Sequence, residues 1–314
     1  MLNIPYRITT ELPLQTVSLS SGGARMQVSQ NNNNKRFCIS SITDKGKFKE
    51  ENQDNLLIKY GETTLGHCVL LAVADGVGGL RGGEIASRSV IEKLNDWWNI
   101  ILRSIAFEND KTVKYIINES LGAAINNINF EIFEKGNSGG YKMGTTLSLL
   151  FIFNNWYCIK HVGDSRVYKL SGNMQQLTED DNLLNRYIIS GIKSEPLMGY
   201  EALANTITKC IGVKPDIELL ELSGELEEDD SFMLCTDGLY KHVSFNEIHK
   251  CIYKCHKGAV KSQEVLQRIV LRARNRGESD DISSIVLTPS KNPRSLLEKL
   301  MIYVVKKIYH LQNQ

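Results

Sequence analysis

Four aspartates stand where apolar runs meet turns, and their type and position suit metal-assisted chemistry. Asp75 and Asp237 each follow an apolar run and precede a glycine, while Asp54 and Asp280 each precede such a run. A rigid sheet can aim side chains from several strand ends at one point. A carboxylate buried there needs a cation or a fixed donor, and an adjacent glycine lets the backbone approach a ligand and offer its carbonyl oxygen.

Oxygen-only ligands select hard ions such as Mg²⁺ or Mn²⁺ over zinc. A cluster of aspartates can hold two such ions about 4 Å apart, a spacing suited to the hydrolysis of phosphate esters. A single strand-end carboxylate is more often simply solvated, so the prediction depends on the aspartates converging.

Competing chemistries can be checked directly against the sequence. A dinucleotide-binding G-x-G-x-x-G that starts at Gly76 meets Arg81 where its last glycine belongs, and no cysteine is followed six positions later by arginine. The sequence also lacks HExxH and the phosphate-binding G-x4-GK[ST]. These classes of enzyme are therefore excluded.

The elements that must position the aspartates are short strands and longer helices. Apolar or alternating runs predict strands at 56–60, 69–74, 145–153, 156–162, 166–170, 174–177, 217–222, 232–236 and 282–287. Helical patterns cover 83–106, 112–135, 180–190, 244–256 and 259–274. Strands joined by short turns form antiparallel hairpins, and the two long helices follow each other without an intervening strand. An α+β fold is therefore expected.

Composition limits the broad class of protein. The chain has 314 residues, 42% hydrophobic and 23% charged, with a net charge of +1, which predicts a globular protein and argues against bulk nucleic-acid binding. No apolar run is long enough for a membrane span or a secretory signal. The odd count of seven cysteines is typical of reduced thiols, and a cytoplasmic protein is expected. The group around His249 and Cys251 favours ordinary helix residues over a zinc site, because the paired CxxC spacing is missing.

Three segments are predicted along the chain. Residues 1–35 are polar and unpatterned and predict a mobile leader, and residues 36–289 form the main domain. Residues 290–314 carry five basic residues against one acidic residue, Glu298, and predict a basic amphipathic helix. Such a helix either docks on its own domain or contacts a membrane or a partner. Its apolar face would comprise Leu297, Leu300, Met301, Val304 and Ile308.

A series of short motifs spans the chain from about residue 41 to residue 287. They are Thr43-Asp-x-Gly46-x-x-Lys49-x-x-Asn52-Gln-Asp54, Asp75-Gly-Val-Gly-Gly79, Gly144-Thr-Thr146, Val162-Gly-Asp-Ser-Arg-Val-Tyr168, Leu177-Thr-Glu-Asp180, Thr206-Ile-Thr208, Thr236-Asp-Gly-Leu239 and Asp280-Asp-Ile-Ser283. In content and order this set resembles the metal-dependent type-2C serine/threonine protein phosphatases, the PPM family, in its bacterial form.

The resemblance implies a four-layer α-β-β-α sandwich of two antiparallel sheets with helices on both sides, and a metal site at one edge. Asp75 would bridge two Mn²⁺ or Mg²⁺ ions, the Gly76 carbonyl would bind one of them, and Asp237 and Asp280 would complete the ligand set. Asp54 would act near the ions, through water. Asp164 corresponds to the acidic residue that, with Asp237, binds a third, weaker ion in bacterial relatives. A variable flap over about 191–205 would lie beside the site.

The implied activity is hydrolysis of phosphoserine and phosphothreonine in proteins by a hydroxide that bridges the metals. An opposing kinase and a monomeric enzyme are expected with it. Lys49 stands where the family usually has an arginine that positions the phosphate, and a lysine offers a point charge with less orientation. A weakly active or inactive regulatory module is the alternative. Val77 replaces a histidine of many eukaryotic relatives, so the source of the leaving-group proton stays open.

Overall fold

Two antiparallel sheets packed face to face form the centre of the molecule. The structure is a computed structural model, and it describes residues 17–19, 27–28, 37–63, 66–78, 80–105, 108–191, 199–258 and 261–290. The strands are β1 Val17–Leu19, β2 Gln27–Val28, β3 Phe37–Asp44, β4 Asp54–Thr63, β5 Gly66–Asp75, β6 Leu147–Phe153, β7 Trp156–Val162, β8 Arg166–Ser171, β9 Asn173–Gln176, β10 Leu220–Glu225, β11 Ser231–Cys235 and β12 Ile282–Pro289. The helices are α1 Gly83–Ser104, α2 Asp110–Ser138, α3 Leu183–Ile189, α4 Tyr200–Ala204, α5 Asp237–Tyr240, α6 Phe245–Lys257 and α7 Ser262–Asn275.

Each sheet has six strands. One sheet has the order β1-β4-β5-β6-β7-β10, and the other has the order β2-β3-β12-β11-β8-β9. Every pairing between these strands is antiparallel. The predicted fold class is therefore confirmed.

The central strands are apolar on both faces because each face meets a different layer. In β6, Leu149 and Phe151 pack in the core under α1 and α2, whereas Leu150 and Ile152 pack against the second sheet. Side chains alternate between the faces of a strand, so a strand covered on both sides reads as a continuous apolar run. The long helices α1 and α2 cover the outer face of this sheet. The ring centroids of Trp98 in α1 and Phe151 in β6 lie 6.0 Å apart in that layer.

The second sheet is covered by α6 and α7, which complete the four layers. A capping box between Ser244 and Glu247 opens α6, as its sequence predicts. Cys251 and Cys255 are buried in the core between these helices and the sheet. They therefore serve as small apolar side chains in this layer.

Among the elements that begin later than their sequence patterns predict, β10 and α3 show a physical reason. The predicted strand over 217–222 starts at Leu220, and residues before it are held as a loop in which Asn129 Nδ2 donates to the carbonyls of Lys214 and Pro215 at 3.0 and 2.9 Å. The predicted helix over 180–190 starts at Leu183 because Asn182 caps it, accepting from the amide of Asn185 at 2.8 Å. In both places side-chain hydrogen bonds to the backbone replace regular structure.

The predicted leader, flap and tail fall largely outside the described residues. Within 1–35 the structure describes β1, paired with β4, and β2, paired with β3. The described part of the flap holds α4, while 192–198 and the tail 291–314 lie outside the description. Among the helices that are described, none combines the length and apolar content that crossing a membrane requires.

Candidate active site

The first sheet brings Asp54 and Asp75 together at one end of the sandwich. Asp54 is the first residue of β4 and Asp75 the last of β5, and the two are cross-strand partners. The Gly144-Thr-Thr146 segment fixes the backbone of Asp75: its carbonyl accepts from Thr145 Oγ1 and from the Thr146 amide, each at 2.8 Å. The strand end is therefore held rigidly where its carboxylate leaves the sheet.

The second sheet brings Asp237 and Asp280 to the same end. Asp237 lies two positions after the end of β11, and Asp280 lies two positions before the start of β12, the strand that pairs with β11. The two sheets are joined here because Thr236 Oγ1 donates to Asp54 Oδ2 at 2.8 Å and accepts from the Ser283 amide at 3.0 Å. The four aspartates predicted from the sequence thus meet, two from each sheet.

Two glycines allow the backbone segments around the aspartates to approach closely. A Cβ on Gly76 would lie 2.6 Å from the carbonyl oxygen of Gly83, at the start of α1. A Cβ on Gly238 would lie 2.1 Å from the carbonyl oxygen of Asp281. No side chain fits at either distance, so the residue type after Asp75 and after Asp237 is set by packing as well as by any ligand.

Asp164 joins the cluster from the turn between β7 and β8. Its side chain is buried. Its negative charge adds to those of Asp54, Asp237 and Asp280 in raising the pKa of Asp75 beyond the effect of burial. Asp75 therefore lies at the centre of the group, as a bridging position requires.

Burial and mutual repulsion make this group electrostatically costly. Burial, followed by the charge of Asp54, raises the pKa of Asp75 well above its ordinary value. Burial and the charge of Asp281 raise the pKa of Asp54 to about 8. Burial and the charge of Asp237 raise the pKa of Asp164 to about 8. Each carboxylate resists ionisation because its neighbours are acidic and water is largely excluded.

Two lysines border the cluster and pair with its outer members. Lys49 forms ion pairs with Asp280 and, at 3.0 Å, with Asp281 Oδ2, and Lys241 forms one with Asp237. Burial acts to raise the pKa of Asp280, but the hydrogen bond and charge of Lys49 outweigh it and hold that pKa below its ordinary value. Within the described part of the chain, Asp54, Asp75 and Asp164 form no ion pair.

Asp281 and Lys241 are residues of the site that the sequence did not single out. The Asp281 side chain is 1% exposed and accepts from the amides of Gly46 and Gln53, each at 2.8 Å, and from Lys49. The only available signal was its place beside Asp280, because neighbouring residues project to opposite sides of an extended chain. Which of the two acids faces the site could not be read from that spacing.

The donor chemistry fits a divalent cation, although no group of three or more His, Cys, Asp or Glu side chains among the described residues already stands in a metal-ligand arrangement. Buried oxygens of three carboxylates, Asp54 Oδ1, Asp164 Oδ1 and Asp237 Oδ1, have no hydrogen-bond partner. Buried acceptors of this kind are normally satisfied. Hard cations prefer oxygen ligands, so these atoms match the ions predicted from the sequence.

One described residue of the predicted flap, Ala204 of α4, lines a cavity of about 440 Å³. Leu184 and Ile188 of α3, the helix before the flap, line the same cavity. So do Tyr240 and Lys241, which follow Asp237 in the chain. The position of the whole flap beside the acidic cluster stays a prediction.

Comparison with known proteins agrees with this geometry. The family model for protein phosphatase 2C matches residues 47–274. The serine/threonine phosphatase stp of Listeria welshimeri is 27% identical over 261 residues, covering 82% of this chain and 96% of that protein. Protein phosphatase PhpP of Streptococcus pneumoniae is 29% identical over 247 residues, covering 78% of this chain and 94% of that protein.

Solved structures give the same result. The S. agalactiae serine/threonine phosphatase superposes with a TM-score of 0.64 and 28% identity, covering 81% of this chain and 100% of that one. The catalytic domain of the phosphatase PstP, solved in complex with two manganese ions, has a TM-score of 0.64 and 26% identity, covering 82% and 99%. The matched family model spans most of the chain and includes the elements that carry Asp54, Asp75, Asp164 and Asp237, and the chain therefore belongs to the protein phosphatase 2C family.

Proposed function

We propose that this protein is a metal-dependent phosphatase that hydrolyses phosphoserine and phosphothreonine residues of proteins, using two Mn²⁺ or Mg²⁺ ions. The observation that carries the proposal is the meeting of five aspartates at one end of the sandwich, with three buried carboxylate oxygens lacking any hydrogen-bond partner. Cations between these side chains would remove the repulsion that raises the pKa of Asp75. The related catalytic domain of PstP binds two manganese ions in its crystal structure.

Each predicted ligand has a place in this arrangement. Asp75, at the centre, is the residue suited to bridge two ions, with the Gly76 carbonyl beside it. Asp237 and Asp280 approach from the second sheet, and Asp54, held by the hydrogen bond from Thr236, would orient water near the ions. Asp164 and Asp237 are suited to share a third, weaker ion. Bound cations of this kind make a water molecule more acidic and offset negative charge on phosphoryl oxygens.

Lys49 is suited to receive the phosphate group. Its side chain is 26% exposed and it keeps a hydrogen bond to Asp281 at 3.0 Å, so the ammonium group is held at the rim without being enclosed. The contacts with Asp280 and Asp281 raise its pKa against the effect of burial, which keeps the ammonium charged. A charged donor next to the cluster stabilises negative charge that develops on the phosphoryl oxygens.

The substrate is expected to be a phosphoprotein, with a serine/threonine kinase acting in opposition, because the relatives are named serine/threonine phosphatases. A monomer located in the cytoplasm stays a prediction. A weakly active binding module is not favoured, since Asp75, Asp237 and Asp280 are all present and meet in one place.

Purified protein assayed on a phosphothreonine peptide and on p-nitrophenyl phosphate, with Mn²⁺, Mg²⁺ or EDTA, tests the proposal. We expect activity on both substrates with Mn²⁺, none with EDTA, and a loss of at least about 100-fold in Asp237→Asn. The matched control is Asp230→Asn, which alters a buried aspartate paired with Lys169 away from the site. Activity that survives chelation would remove the metal mechanism, and activity on the small ester alone would remove the protein substrate.

A further inference from the structure

One hydrogen bond connects the two chain segments that carry Asp164 and Asp237. Tyr240 lies at the end of α5, the short helix that Asp237 begins. Its Oη donates to the carbonyl oxygen of Asp164 at 2.8 Å. Since Asp164 belongs to the turn after β7 and Asp237 to the segment after β11, this bond ties together loops from different sheets.

The turn that holds Asp164 is fixed from its other side by Asp181. The Gly163 amide donates to Asp181 Oδ2 at 3.1 Å, and the Asp181 amide donates back to the Gly163 carbonyl at 2.7 Å. Gly163 has a φ of 107°, a conformation open mainly to glycine. With Asp181 on one side and Tyr240 on the other, the peptide that orients the Asp164 carboxylate has little freedom.

The ring of Tyr240 packs against an ion pair between Arg166 and Asp180, which we call the Arg166–Asp180 clasp. The guanidinium carbon of Arg166 lies 3.5 Å from the centroid of the Tyr240 ring, a cation–π contact. Arg166 grips Asp180 with two parallel hydrogen bonds of 2.9 and 2.6 Å, and its Nη1 also donates to Tyr168 Oη at 3.2 Å. A guanidinium fixed by this fork cannot swing away from the ring.

The Asp164 and Asp237 carboxylates, which these contacts position, could bind one ligand between them. Asp164 Oδ1 and Asp237 Oδ1 are both buried without a hydrogen-bond partner. We propose that Tyr240, held by the Arg166–Asp180 clasp, is a positioning residue that sets the separation of the Asp164 and Asp237 carboxylates and so determines how tightly they bind a divalent cation. Tyr240 acts through the backbone of Asp164 and does not itself bind the ion. The inference rests on the proposed metal-dependent function.

The test compares Mn²⁺ binding by wild type, Tyr240→Phe and Arg166→Lys in the full-length protein, with free Mn²⁺ measured by electron paramagnetic resonance. Tyr240→Phe keeps the ring and removes one hydrogen bond, so we expect the weakest class of Mn²⁺ sites to bind about fivefold less tightly while the tighter class is unchanged. Arg166→Lys loses the fork and should give a loss in the same direction. Since both act on one contact, the double variant should lose less than the sum of the two.

Tyr157→Phe is the matched control, because Tyr157 is also buried but its ring packs on Phe232, away from the carboxylates. Its Mn²⁺ affinity should equal that of wild type, and all variants are checked by thermal unfolding in EDTA. Equal Mn²⁺ affinity in Tyr240→Phe and Tyr157→Phe would overturn the inference, as would a wild type with no weaker class of sites. Failure of the proposed function shows separately, as a wild type that binds Mn²⁺ without hydrolysing phosphopeptide.

Discussion

Replacing Asp281 by asparagine should both destabilise the protein and loosen the loop between β3 and β4, which carries Lys49. The Asp281 carboxylate accepts three hydrogen bonds, from the Gly46 amide to Oδ1 at 2.8 Å and from the Gln53 amide and Lys49 Nζ to Oδ2 at 2.8 and 3.0 Å. These contacts attach the loop between β3 and β4, which carries Lys49, to the segment before β12.

The magnitude follows from what an amide can replace. The asparagine oxygen can take the place of Oδ2 and keep the bonds from Gln53 and Lys49, but its NH₂ group then faces the Gly46 amide, where two donors meet. A buried donor without a partner costs about 1–3 kcal/mol, and the loss of charge from the bond to Lys49 adds about 1 kcal/mol. We therefore expect Asp281→Asn to lower the free energy of unfolding by about 2–4 kcal/mol.

Urea unfolding measures this loss, and Asp230→Asn provides the comparison. Asp230 is also 1% exposed, and its Oδ2 accepts from the Glu227 amide and pairs with Lys169, each at 2.8 Å, while Oδ1 has no hydrogen-bond partner. An amide can keep both contacts there, and its NH₂ group replaces an oxygen that already lacks a partner, so we expect a loss of only about 1 kcal/mol, from the weaker contact with Lys169. Asp281→Asn should also raise KM for a phosphopeptide, because Lys49 loses its anchor. Equal losses of stability in the two variants, with KM unchanged, would refute the assigned role.

Three further predictions concern the carboxylates and Lys49. The pKa values of Asp54 and Asp164, about 8 in the folded chain, lie above their ordinary values near 4, so their contribution to stability is present below about pH 4 and is lost as the pH rises to about 8. In EDTA the melting temperature of wild type should therefore fall more between about pH 5 and pH 8 than that of Asp54→Asn, and an equal fall would contradict the assignment. Asp75→Asn should raise the melting temperature in EDTA by relieving repulsion, yet abolish Mn²⁺-dependent activity; a lower melting temperature would argue against a strained cluster. Lys49→Arg should raise kcat/KM for phosphopeptides because a guanidinium can grip phosphate with two donors, and an unchanged or lower value would count against the point-charge argument.

The sheets and long helices could be predicted because their patterns are strong. In β6 the run from Leu149 to Phe153 is apolar throughout, and the structure shows the reason, since its two faces meet different layers. The ends of elements were less predictable where side chains compete for the backbone. Asn129 holds the residues before β10, and its place in α2, some 85 positions away, gives no sign of this in the sequence.

The strand-end carboxylates of the site and Lys49 could be predicted from the sequence, whereas Asp281 and Lys241 could not. Asp54, Asp75, Asp237 and Asp280 stand at or near the ends of recognisable strands, so their convergence follows from the layout of the sheets. Lys241 caps the C-terminal end of α5, one turn after Asp237, and surface lysines at that spacing are common. The ion pair between Lys241 and Asp237 depends on the orientation of α5, which no local sequence pattern predicts.

The register between β3 and β12 has a practical consequence for handling the protein. Phe37 and Pro289 are cross-strand partners at one end of these strands, and Asp44 and Ile282 are partners at the other. At about 3.4 Å per residue the two ends of the eight-residue β12 lie roughly 24 Å apart. A chain shortened to end at residue 289 would therefore present its new end at the pole opposite the acidic one. A tag, a bead or a fused fluorescent protein placed there leaves the acidic pole open to large substrates.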